Sequence, residues 1–194
     1  MAVVLAWMRM VRVATLAATL GAFTLATIPV ARAYPPDFPN LETFAAVDPA
    51  QFTHTANYGR GGTQTSVDFD TPDGVRCTWG HSESPAYHPE IACVGNIPGV
   101  PAYVADRDQP GCTQVSFGEF LNGSAPVYMF AHRAQNSGTC PSATTAAQGQ
   151  RLSPGQKLTS TNITCAVAEG DVTACIDPIA NRGFMLTPAG SWTF

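Results

Sequence analysis

Charged residues are scarce in this sequence. Asp, Glu, Lys and Arg make up 12% of its 194 residues, and Lys157 is its one lysine. A chain so poor in cations has no electrostatic footprint for nucleic acid, whose binding depends on basic contacts to phosphates. It also lacks the polybasic segment that anionic membrane surfaces attract. There is no C-x-x-C pair, and the nearest cysteines, Cys165 and Cys175, are ten residues apart. Structural zinc sites use closer paired ligands, so the cysteines do not read as a metal cluster. No G-x-S-x-G elbow presents a serine nucleophile, and no cysteine is left over to act as one. Long 3.6-period segments are missing as well, which argues against a helical domain.

The first 33 residues hold the three parts of an export signal. Arg9 and Arg12 supply the positive region, and Val13 to Val30 form an apolar stretch. Ala31-Arg32-Ala33 is an A-x-A cleavage site. The apolar run is 18 residues long, barely enough to span a bilayer, and Gly21, Pro29 and its threonines weaken it as an anchor. Cleavage after Ala33 is therefore expected, leaving a chain that begins at Tyr34 and is secreted to the envelope or beyond. That remainder carries seven basic residues against 14 acidic ones, a formal charge of −7. Nothing after Val30 is apolar enough to span a membrane.

Past the signal, residues 34–64 read as an irregular leading segment. Pro35, Pro36 and Pro39 remove donors and fix φ, so neither a helix nor a central strand starts there. Asn40 is placed to cap a short helix through Val47, and Asp48-Pro49 to start another turn. Residues 65–194 read as the β domain. Ser66 to Phe69 alternates, Thr71-Pro72-Asp73-Gly74 is a turn, and Val75 to Trp79 returns as a hairpin partner. Thr113–Phe117, Ala125–Ala131, Leu158–Val167, Val172–Ile176 and Arg182–Leu186 are further strands, with Ser191–Phe194 pairing against the last of them. Trp192 and Phe194 are expected to close the barrel or sandwich. Short strands with Gly/Pro turns predict an all-β antiparallel sandwich or barrel.

Four of the six cysteines fall in two matching units. Cys77 and Cys93 lie mid-strand on either side of a loop centred on Pro85, and Cys165 and Cys175 stand symmetrically about Gly170. Six cysteines allow 15 connectivities. Hairpins place Cys77 opposite Cys93 and Cys165 opposite Cys175 at bridging distance, which leaves Cys112 with Cys140. Each bridge would contribute about 3 kcal/mol by constraining the unfolded chain.

The string Phe69-Asp70-Thr71-Pro72-Asp73-Gly74-Val75-Arg76-Cys77, the later Ile91-Ala92-Cys93 and the closing Arg182-Gly183-Phe184-Met185-Leu186 carry a resemblance. They are similar to small exported actinobacterial, notably mycobacterial, proteins with an F-x-[ST]-P-x-G-x-x-C element and a closing G-F-x-L segment. The resemblance covers residues 65–99 and 151–194. It implies export, β structure and disulfides, and it transfers no catalytic or binding residue.

Candidate chemistry gathers in the loop that the first cysteine pair would close. His81, Glu83, His88 and Glu90 supply two H-x-E steps, ordinary ligand chemistry for a divalent metal, without H-E-x-x-H spacing or a helix to align the imidazoles. A solvated polar loop is the plainer reading. A serine hydrolase would need Ser, His and an acid brought together, with His54, His81, His88 and His132 as bases. Asp68, Asp70 and Asp73 flank a turn, where carboxylates usually serve the turn. Trp79 shares a strand face with Cys77 and is expected in the core; an aromatic binding strip would use Trp79, Tyr87 and Tyr128. The sequence thus favours a secreted, non-enzymatic binding or interaction domain without a cofactor. A hydrolase with dispersed residues and a metal-binding module on the 81–90 loop are the alternatives.

Overall fold

Alternating short strands with turn-forming junctions can bury their apolar faces only against another sheet, and the computed structural model shows that arrangement. It describes residues 34–57, 62–81, 89–105, 111–118, 127–134 and 150–194. The signal-like segment, most of the 81–90 loop and the loop carrying Cys140 lie outside the described residues. No described helix is long and apolar enough to cross a membrane.

In chain order the strands are β1 (Ala45–Ala46), β2 (Thr53–Asn57), β3 (Thr63–Asp70), β4 (Arg76–Gly80) and β5 (Ala92–Gly95). A single helical turn, α1 (Ala102–Ala105), precedes β6 (Gly111–Gly118) and β7 (Val127–Ala134). Then come β8 (Gln150–Arg151), β9 (Gln156–Ser160), β10 (Ile163–Ala168), β11 (Val172–Asp177), β12 (Arg182–Leu186) and β13 (Trp192–Thr193). One sheet runs β2-β3-β4-β5-β6-β7, with β8 added parallel to β3. The other runs β1-β9-β10-β11-β12-β13, antiparallel except for β1 against β9. The core lies between them: Val67, Phe69, Trp79 and Val115 of the first sheet meet Leu158, Ile163, Phe184 and Leu186 of the second.

The turn between β3 and β4 shows how local chemistry sets register. Thr71 Oγ1 accepts from Val75 N at 2.9 Å, Gly74 N donates to Thr71 O at 3.1 Å, and Gly74 takes φ 85°. Only glycine adopts that φ without cost. The resulting pairing sets Asp70 opposite Arg76 and Phe69 opposite Cys77. Along β4, Cys77 and Trp79 face inward while Arg76, Thr78 and Gly80 are half-buried, the period of two that a one-sided strand requires.

The leading segment differs from expectation in two ways. A one-turn 3-10 helix spans Leu41–Thr43 under an Asn40 cap, with Asn40 Oδ1 accepting from Glu42 N at 3.1 Å. It stops there because Ala45 N and Val47 N donate to Gly155 O and Lys157 O, which draws the chain into β1. A second 3-10 turn, Pro49–Phe52, starts at Asp48 and Pro49 as the sequence suggested. Residues 53–57, expected to be irregular, form β2. Four of its five residues are exposed, so this edge strand has no apolar alternation by which to recognise it.

The stretch Leu158–Val167 was expected as one strand and is two. The chain reverses at Thr161-Asn162, so Ser160 faces Ile163 and Cys165 faces Leu158. Thr161 holds φ 56°, a costly conformation for a β-branched residue, which explains why no turn signal announced it. Trp192 and Phe194, expected to close the barrel or sandwich, pack on the outer face of the second sheet, where Phe38 meets them at 6.4 and 5.3 Å between ring centroids. Ala166, Ala174 and Ile176 line that outer face, so this sheet is covered on both sides.

Candidate functional site

Both hairpins with paired cysteines are bridged. Cys77 lies directly opposite Cys93 and Cys165 opposite Cys175, with Cα separations of 4.0 and 4.1 Å. Side chains approach most closely at such non-hydrogen-bonded positions of an antiparallel pair. Cys112 is also disulfide-bonded; Cys140 lies outside the described residues. The first bridge draws together the two ends of the 81–90 loop.

Those ends serve different strands. His81 N donates to Thr65 O at 2.9 Å, continuing the β3–β4 ladder, and His81 Nδ1 lies 3.1 Å from Ser160 Oγ at the end of β9. Glu90, with Pro89, stands instead beside Asp177 at the end of β11. Strands β9 and β11 both flank β10, so the two points of contact lie two strand spacings apart, about 10 Å. Glu83 and His88 fall outside the described residues. Among the described residues, no three His, Cys, Asp or Glu side chains are grouped to hold a metal ion.

Ser160 and His81 form a serine–imidazole hydrogen bond, and its setting is structural. Ser160 is 6% exposed at a hairpin end, and no described carboxylate hydrogen-bonds to His81. It fastens the start of the loop to the second sheet. The acids at 68–73 are likewise occupied. Asp68 accepts from Ser66 Oγ at 2.9 Å, Asp73 accepts from Thr71 Oγ1, and Asp70 takes both Arg76 Nε and Nη2 at 2.7 and 2.8 Å. The Asp70 hydrogen bond is the main cause that raises the Arg76 pKa above its ordinary value. Asp70 is buried, so Arg76→Met would strand a desolvated carboxylate. A loss of about 3 kcal/mol in urea unfolding is expected, with part recovered by adding Asp70→Asn. Equal stability of wild type and Arg76→Met would show the pair to be a surface ornament.

A cleft of about 220 Å³ opens where Glu90 meets the second sheet. Pro89 and Glu90 come from the disulfide-closed loop, Phe117 from β6 and Tyr128 from β7. Asp177, Ile179 and Ala180 come from the β11–β12 turn. Tyr128 is its anchored aromatic: 3% exposed, it packs edge-on to Phe117 at 5.2 Å and to Phe184 at 5.3 Å. Burial pushes the Tyr128 phenol pKa well up; Asp177 and Glu90 add to the rise, and a hydrogen bond with the Ile91 backbone partly offsets it. The hydroxyl thus keeps its proton. Asp177 is 7% exposed, and its Oδ1 accepts from Ile179 N at 2.8 Å and Ala180 N at 3.2 Å. This Asx turn leaves Ile179 62% exposed at the rim.

The aromatic strip considered from sequence does not form as drawn. Trp79 is 2% exposed and stacks edge-on against Phe69 at 6.2 Å, while Tyr87 lies outside the described residues. Of the two that are described, Tyr128 lines the cleft and Trp79 does not. Sequence reasoning passed over Phe117, Asp177 and Ile179, although an isoleucine in an Asp-Pro-Ile-Ala-Asn turn was a visible signal. No protein-family model matches the chain, and no curated protein or solved structure shows significant similarity to it.

Proposed function

We propose that this chain is an exported, non-enzymatic binding domain of the cell envelope or its surroundings, and that the cleft at Tyr128 is its ligand surface. One observation carries the reading. The cleft draws its walls from both sheets and from the foot of the disulfide-closed loop, so several rigid elements converge on one concave, partly aromatic surface. Export and cleavage after Ala33 are supported by the tripartite N-terminus and by the bridged cysteines, which persist in oxidising compartments. The F-x-T-P-x-G-x-x-C element, which resembles that of small exported actinobacterial proteins, supports the same reading.

Protein recovered from the culture medium or cell wall of an actinobacterial producer should begin at Tyr34. A photo-crosslinking amino acid placed at Ile179 should yield a discrete adduct in those cells. The same probe at Tyr103, which is 68% exposed and does not line the cleft, should not. Equal labelling at the two sites would defeat the cleft as the ligand surface, and protein retained at full length in the cytoplasm would defeat export.

A further inference from the structure

We infer that the cleft takes a small organic cation, an ammonium head carried on a short apolar or aromatic stem. The inference rests on the cleft being the ligand surface and specifies what chemistry that surface recognises.

Its charge balance is one-sided. Glu90 and Asp177 both line the cleft, and among the described residues that line it none is basic. Among the described residues, no lysine or arginine ion-pairs with either acid; Arg76 pairs with Asp70 and Lys157 with Glu42. Arg182 faces Asp177 in the β11–β12 register, yet it does not close on the carboxylate. Two backbone N–H groups hold one Asp177 oxygen in place, which fixes the carboxylate and leaves the other oxygen for a ligand. With no basic partner among the described residues, the two carboxylates leave negative charge that a bound cation would meet.

The apolar walls select the kind of cation. Phe117, half-buried beside the buried Tyr128, offers aromatic surface, and ring faces attract ammonium groups, more strongly as water is excluded. Pro89, Ile179 and Ala180 suit a hydrocarbon stem better than a hydrated metal ion. The volume of about 220 Å³ is below the usual range for drug-sized ligands, about 300 Å³ upward, so a head group with a short stem fits. The two carboxylates disfavour any anion.

Three probes of matched shape test this by amide NMR titration of the isolated protein at neutral pH: phenethylammonium, phenethyl alcohol and 3-phenylpropanoate. Phenethylammonium should shift the amides of Phe117, Ile179 and Ala180 saturably. Its affinity should fall about tenfold with Glu90→Gln or Asp177→Asn, the loss expected for removing about 1.4 kcal/mol of charge attraction. Asp177→Asn keeps an oxygen for the two turn amides, so the variant should fold. If the alcohol binds as tightly as the ammonium, or neither variant weakens the ammonium, the cation inference is overturned while the cleft remains a binding surface. If no probe moves the cleft amides up to its solubility limit, the cation inference and the cleft assignment both fall.

Discussion

Phe184→Ala is expected to lower the unfolding free energy by about 4 kcal/mol, the middle of the range for truncating a buried aromatic. Phe184 is fully buried in β12, opposite Cys175 on one side and Thr193 on the other. Its ring meets Tyr128 of the opposing sheet at 5.3 Å, at 70° between planes. The substitution therefore removes a contact between the two sheets as well as side-chain volume. Neighbours in β strands are pinned by their ladders and fill such a hole poorly, so the cavity term should be large. Urea unfolding followed by tryptophan fluorescence reads the effect as a lowered midpoint. Phe184→Leu should cost less than half as much. A loss under about 1.5 kcal/mol for the alanine variant would mean that the sheets are not pressed together at this point. Tyr128 rests on this ring, so the cleft should loosen along with the core.

Gly99→Ala is the second large effect, through overlap instead of a void. Gly99 holds φ 56°, and a Cβ there would run into the Thr187 carbonyl and come within 2.8 and 2.9 Å of Gly190 N and Cα. All three are backbone atoms, which cannot swing aside as a side-chain tip can. The same place is a knot of hydrogen bonds. Ser191 N donates to Gly99 O at 2.6 Å, Ser191 Oγ donates to Pro98 O at 2.5 Å, and Thr187 N donates to Ser191 Oγ at 3.0 Å. These bonds tie the segment after β5 to the turn between β12 and β13. Alanine should cost about 3–4 kcal/mol, combining overpacking with the unfavourable φ. Gly74→Ala is the control. It shares a positive φ of 85° but has nothing within 4 Å, so only the backbone cost of about 1 kcal/mol should appear. Similar losses for the two variants would remove the steric argument.

How far the sequence could be read follows from what each strand faces. The hairpin of β3 and β4 was legible because one face is buried and the other is not, which leaves alternation, and because Thr71-Pro72-Asp73-Gly74 has only one sensible use. The hairpin of β10 and β11 was legible through its cysteines and Gly170, although its burial does not alternate. Ala166, Ala174 and Ile176 are covered from outside by Phe38 and Leu41, and no local pattern reveals a partner more than a hundred residues away. β2 was missed for the opposite reason, since Thr53 to Asn57 faces solvent almost throughout. The reversal at Thr161 was missed because a β-branched residue there runs against the usual turn preference. Of the cleft, only Glu90 and Tyr128 had been singled out, on separate grounds. Phe117 and Asp177 lie sixty residues apart on different sheets, so only the packing of those sheets makes them neighbours.

The sulfur atoms of Cys77–Cys93 and Cys165–Cys175 sit inside that packing. All four cysteines are 0% exposed, and both bridges belong to the cluster between the sheets. A small-molecule reductant has no approach to either bridge while the sandwich is closed. Loss of the bridges therefore reports wholesale opening and not local fraying. In a thiol-rich surrounding, the closed molecule would keep its oxidised state for as long as it stayed folded, a form of chemical memory set by sheet packing.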